Sequence, residues 1–107
     1  MTQNRIEIEG SIAALESVRY TPAGIPIVEL RLKHASEQVE AGKPRKVALE
    51  LVALAVGEMA QQLSRAPLGA SIKVTGFLAH PAKAQVRVVL HITGFEFIQN
   101  VNQIDNS

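Results

Sequence analysis

Thr21-Pro22-Ala23-Gly24-Ile25-Pro26 lies between two stretches in which apolar and charged residues alternate, and it restricts this chain more than any other segment does. Pro22 pre-sets the φ that an early turn position wants, Gly24 tolerates positive φ, and Pro26 releases the chain into an extended segment. A tight link between two strands follows. Before it, Ile6, Ile8 and Ile12 are apolar while Arg5, Glu7 and Glu9 are charged, the period of a half-buried strand. Gly10 interrupts that run, as a bulge or sharp bend does in a strand shared by both halves of a small barrel. After the turn, Val28, Leu30 and Leu32 point inward and Glu29, Arg31 and Lys33 outward, so the second strand is expected to pair with the first.

The stretch Ala35 to Pro44 is polar, contains Gly42 and Pro44 and shows no apolar period, which predicts a long loop. Alternation returns over Lys46 to Ala53, with Val47, Leu49 and Leu51 on one face and Lys46, Ala48 and Glu50 on the other. Gly57 to Arg65 is built of good helix formers, places Met59 and Leu63 at i, i+4, and stops before Pro67 and Gly69. Ser71 to His80 and Val86 to Ile98 supply two more strands, the last β-branched and broken at Gly94. The order β-β-β-α-β-β is that of the OB fold, so the expected class is all-β with one short helix, arranged as a five-stranded antiparallel barrel. Residues 1–98 form this domain and 99–107 a flexible C-terminal tail. In the fifth strand Val86, Val88, Leu90 and Ile92 share one face, and Val89 leaves the other less polar than a solvated face, which points to a homodimer contact.

A chain of 107 residues fits one domain that buries a core without metal or disulfide support. Cysteine is absent, which excludes disulfides and cysteine-ligated zinc or iron–sulfur sites and agrees with a reducing, cytoplasmic setting. The N-terminus runs into alternating Ile and Glu rather than an apolar leader, and no stretch approaches the ~20 uncharged apolar residues of a membrane span. His34, His80 and His91 lack metal spacing and read as strand-end hydrogen-bonding residues. No Gly-rich phosphate loop, nucleophile elbow or paired carboxylates in an apolar setting are found, so the sequence predicts a binding protein without cofactor rather than an enzyme.

A formal charge of +1 gives no global drive toward nucleic acid, so distribution carries the argument. From Lys43 onward seven bases stand against four acids, which leaves room for a local basic face. Lys43, Arg45 and Lys46 precede the third strand, and Lys83 and Arg87 lie between the fourth and fifth. OB folds use those two loops for ligands, and the five cations are candidates for phosphate contact through counterion release. Arg31 and Lys33, outward on the second strand, serve either DNA contact or solubility. At the turn, Tyr20 beside Arg19 is expected to be exposed, either as a base-stacking plate or as a cover over the barrel mouth. Phe77 covers the outer barrel or reaches DNA, whereas Phe95 and Phe97 belong to core or interface.

Asn4-Arg5, Gly10, Pro22-x-Gly24-Ile25-Pro26, His34-x-Ser36-x-Gln38-x-Glu40-Ala41-Gly42, Gly76-Phe77 and Val89-Leu90-His91 together resemble the primosomal replication protein N (PriB) family of the single-stranded-DNA-binding protein superfamily. The resemblance covers most of the chain. It implies a dimeric OB-fold replication-restart factor that binds single-stranded DNA and steadies the PriA helicase and other primosome proteins on a fork. Arg19, Lys83 and Arg87 match basic positions of the family's DNA-binding face, but Lys43 and Ala48 stand where its best-known members have aromatics, and Ala35 where they have a base. Charge is therefore expected to outweigh stacking. Two other readings are an interaction adaptor with weak DNA binding and a general single-stranded-DNA-binding protein. The general proteins typically carry a long tail with an acidic, phenylalanine-containing tip, and this sequence stops at Gln103-Ile104-Asp105-Asn106-Ser107.

Overall fold

A computed structural model describes residues 1–81 and 87–98. Its elements are β1 (Ile6–Leu15), β2 (Arg19–Tyr20), β3 (Pro26–Glu40), β4 (Lys43–Val56), α1 (Glu58–Leu63), β5 (Ser71–Ala79) and β6 (Val89–Phe97). Hydrogen-bonded neighbours run β1-β5-β6-β4-β3, and a further β1–β3 pairing closes five strands into a barrel, with β2 appended to β3. This is the expected OB barrel with one correction. The strands are not all antiparallel, because β4 and β6 pair in parallel through Ala53↔Leu90 and Leu54↔His91. Strand directions cannot alternate all the way round a closed ring with an odd number of strands, so one pair has to run parallel.

β1 serves two neighbours. Its Ile6–Ser11 half pairs with β5, and its Ser11–Leu15 half pairs with β3, with a bulge between Ile12 and Ala14. At Gly10 an added Cβ would lie 2.5 Å from the Lys33 carbonyl oxygen, so this residue stays bare where β3 crosses. Asn4 continues the β1–β5 ladder with its side chain, Nδ2 donating to the Leu78 carbonyl (2.8 Å) and Oδ1 accepting from the Leu78 amide (3.0 Å).

The Thr21–Pro26 turn forms as the residues require. The Gly24 amide donates to the Thr21 carbonyl at 2.8 Å, and Gly24 has φ 85°. What it joins differs from expectation. It links the short β2 to β3, and 16–18 carry the chain from β1 to β2.

The predicted loop Ala35–Pro44 is instead the outer part of one continuous hairpin, paired from Ile27↔Val56 to Glu40↔Lys43. Ala41 (φ 54°) and Gly42 (φ 77°) make its tip, the two positive φ values of a two-residue hairpin turn. Alternation vanishes there for a physical reason: beyond the barrel the ribbon meets solvent on both faces, so neither face needs apolar residues.

The core contains Ile12, Val28, Leu30, Leu32, Ala53, Ala55, Ile72, Val74, Leu90 and Ile92, and α1 inserts Ala60 and Leu63 into it. The helix is shorter than the predicted Gly57–Arg65 span, with Gly57 at its N-cap in a positive-φ conformation. Two expectations about the last strand fail. Val89 is 3% exposed and so is not offered to a second subunit, while Val88 precedes the strand and is exposed rather than inward. The irregularity sits at Thr93, one residue before the glycine, where the register shifts and Thr93 Oγ1 donates to the Thr75 carbonyl. Val86 and the tail 99–107 lie outside the described residues. Among the described residues no helix is long and apolar enough to cross a membrane.

Candidate nucleic-acid interface

Side chains of directly paired antiparallel residues share a face, so the β3–β4 register assigns the candidates. Glu29, Arg31, Lys33, Ala35 and Glu37 of β3 oppose Leu54, Val52, Glu50, Ala48 and Lys46 of β4 on the outer face, away from the buried Val28, Leu30 and Leu32. β2 extends this face, since Arg19 pairs with Ile27. Arg19, Arg31, Lys33 and Lys46 therefore line one surface, which spans about 33 Å at the strand rise of ~3.3 Å per residue between positions 27 and 37.

The predicted basic group at the base of the third strand does not act as a unit. Lys46 belongs to the outer face, whereas Arg45, opposite Gln38, and Lys43, opposite Glu40, belong to the other. The cause is strand geometry, which turns consecutive residues to opposite sides once the segment is a strand and not a loop. Arg45 is held across the tip, Nη1 donating to Glu40 Oε1 at 2.9 Å. Arg31 lies 3.7 Å from Glu50. Among the described residues no carboxylate lies within ion-pair distance of Arg19, Lys33, Lys43, Lys46 or Arg87, so these bases meet solvent or an incoming phosphate.

Tyr20 is 68% exposed, as expected, but on the two-residue β2 it points away from the face that holds Arg19. Arg87 is exposed two residues before β6. Lys83 lies outside the described residues.

Sequence reasoning missed one aromatic element. His91 is no strand-end residue: it sits inside β6 opposite Phe77, and the two rings stack with centroids 5.0 Å apart and planes 5° from parallel. Leu54 of β4 is the next residue along that row. Their outward parity, opposite to Leu90 and Ile92, was the available signal, but pairing β5 with β6 requires the register. Phe95 packs on the core and meets Phe97 edge to face at 5.5 Å.

His34 also has a partner no spacing rule predicts. Its Nδ1 lies 2.6 Å from the Glu9 carbonyl oxygen and its Nε2 2.7 Å from Ser36 Oγ, which in turn accepts from Gln38 Nε2 at 3.0 Å. His80 is exposed at the end of β5. Among the described residues no three His, Asp or Glu side chains are placed to hold a metal ion. The surface so assembled offers exposed cations and a small aromatic pair. It suits binding of a polyanion.

Residues 4–94 match the family described as "another single-strand binding protein family". The replication restart protein PriB of Bordetella pertussis is 45% identical over 89 residues, 83% of this chain and 83% of the relative. That of Nitrosomonas europaea is 39% identical over 92 residues, 86% and 85% of the two chains. Among solved structures, PriB from Ralstonia solanacearum superposes with a TM-score of 0.84 at 37% identity, covering 92% of this chain and all (100%) of that one. A single-stranded DNA binding protein from Thermus aquaticus reaches 0.73 at 21% identity, over 91% of this chain and 51% of its own, a likeness of fold alone. The chain belongs to the replication restart protein PriB family.

Proposed function

We propose that this PriB-family chain binds single-stranded DNA on the outer face of β3 and β4 and, as a homodimer, stimulates the PriA helicase during replication restart. The observation that carries the DNA-binding part is the run of Arg19, Arg31, Lys33 and Lys46 along one exposed face of an OB barrel, the surface such folds use for oligonucleotides. Ala35 and Ala48, paired between Lys33–Glu50 and Glu37–Lys46, put no aromatic ring among these cations. Binding is accordingly led by phosphate contacts, which position a strand without reading its sequence.

A second reading, the adaptor, gains support from the same face: Glu50 holds Arg31 and Glu37 lies opposite Lys46, so the cations do not form an unbroken basic strip. A weak DNA contact then adds to a helicase contact through effective concentration in a ternary complex.

Unwinding of a forked duplex by the cognate PriA decides between them, measured with wild type, Lys33→Ala and Tyr20→Ala alongside the DNA affinity of each. Stimulation that falls in proportion to DNA affinity supports DNA capture alone. Stimulation that survives moderate loss of DNA binding supports the adaptor. A wild-type protein that neither binds DNA nor changes unwinding overturns both.

A further inference from the structure

We propose that His34, Ser36 and Gln38 form a latch that holds the β3–β4 arm in one orientation against β1, so that Lys46 on its outer face and Lys43 on the opposite face near its tip keep fixed positions for the phosphates of a strand that leaves the outer face around the arm; this rests on the single-strand-binding reading above. These are the positions of the His34-x-Ser36-x-Gln38 motif, at successive sites on one face of β3 beyond its last β1 partner, the Ser11↔Lys33 pair. From there the hairpin leaves the barrel. Across an open groove of about 810 Å³, lined by Gly10, Leu49 and Ile98 among others, it stands off from the body, and Leu49 remains 42% exposed. Among the described residues the bond from His34 to Glu9 is the hydrogen bond that ties 34–49 to anything outside the hairpin.

The polarity of the chain is fixed by its end. A carbonyl oxygen only accepts, so Nδ1 of His34 carries the proton and donates to Glu9. In the neutral ring Nε2 then accepts from the Ser36 hydroxyl, and Ser36 Oγ accepts from the Gln38 amide. Each group holds the next, and the imidazole cannot turn without breaking two bonds. Leverage makes this matter. A lone two-stranded ribbon is marginal in water, and the arm reaches about 23 Å from His34 to its tip, so a swing of about 10° at its base displaces Lys43 by about 4 Å. That exceeds the tolerance of a direct phosphate contact.

Two substitutions separate the parts of the imidazole. His34→Asn keeps a donor where Nδ1 stands, within reach of the Glu9 carbonyl, whereas His34→Gln reaches Ser36 but gives up the donor to Glu9. Amide hydrogen exchange across 34–49 should rise about three- to tenfold in His34→Gln and stay within about twofold of wild type in His34→Asn, with 72–74 of the core unchanged. Affinity for a labelled oligothymidylate of about 15 nucleotides should fall by a similar about three- to tenfold factor in His34→Gln only. In a Lys43→Ala/Lys46→Ala background the further loss from His34→Gln should vanish, because the latch acts through those two bases. Unchanged exchange in His34→Gln overturns the latch whether or not DNA binds. An equal affinity loss in both backgrounds overturns its link to Lys43 and Lys46. Failure of wild type to bind the oligonucleotide overturns the single-strand reading, while the exchange experiment still decides the latch.

Discussion

The Phe77 ring lies flat on the imidazole of His91, 5.0 Å between centroids and 5° between planes. Both residues face outward from neighbouring strands, and Phe77 remains 39% exposed, so the pair stabilises the β5–β6 seam from outside the core. Aromatic pairs contribute about 0.5–1.5 kcal/mol beyond burial. A double-mutant cycle of Phe77→Ala and His91→Ala in urea should return a coupling energy of that size. Strictly additive effects would show that the stack carries no energy of its own.

Gly10 and Gly76 are expected to resist the smallest enlargement. A Cβ at Gly10 meets the Lys33 carbonyl, and one at Gly76 meets the backbone of His91. Since the obstacles are backbone atoms, relief requires strands to move apart, and overpacking of this kind costs about 1–3 kcal/mol. Gly10→Ala and Gly76→Ala should each lower the urea midpoint accordingly, whereas Gly94→Ala, with nothing within 4 Å, should change it far less.

Glu50 competes with phosphate for Arg31, which it approaches at 3.7 Å with both side chains half-exposed. Glu50→Gln removes the competitor and keeps the shape. Single-strand affinity should rise about two- to fivefold at low salt and the gain should shrink as salt screens it, consistent with the ~1 kcal/mol ceiling of exposed pairs. A fall in affinity would place the bound strand elsewhere.

Binding led by charge has a signature in salt. Removing one phosphate-binding base should reduce the slope of log K against log salt by about 0.7 for a single strand. Lys33→Ala and Lys46→Ala should each weaken binding to all sequences alike and flatten that slope. A slope near zero in the wild type would count against the reading.

The proposed homodimer is expected to use a strand edge and not Val89. The Ile6–Ile8 part of β1 pairs with β5 on one side and, among the described residues, with no strand on the other, since β3 reaches β1 only from the His34–Glu9 bond onward, and an open strand edge of this kind needs covering. Sedimentation should give twice the chain mass at tens of micromolar. Because Val89 is buried within its own subunit, Val89→Asp should unfold the protein and not merely split a dimer. A folded Val89→Asp monomer would contradict that.

Alternation by itself determined β1, the barrel part of β3, most of β4 and β5, because each lays one face on a core and the other in water, and period two records that difference residue by residue. The turn chemistry of Pro22, Gly24 and Pro26 was equally local, and so was the short helix, whose Ala60 and Leu63 are buried. The motif residues that carried the family resemblance were also legible, though not their reasons. Only the tertiary structure decided what depends on partners distant in the chain. The arm looked like a loop because a ribbon solvated on both sides has no pattern to display, and its pairing is made by backbone atoms that side chains do not announce. Making it a strand sent Lys43 and Arg45 to one face and Lys46 to the other. His34 acquired its role from Glu9, and Phe77 from His91, each across a register that no single segment specifies. One parallel pair was imposed by closing five strands into a ring, a property of the whole barrel that none of its strands contains.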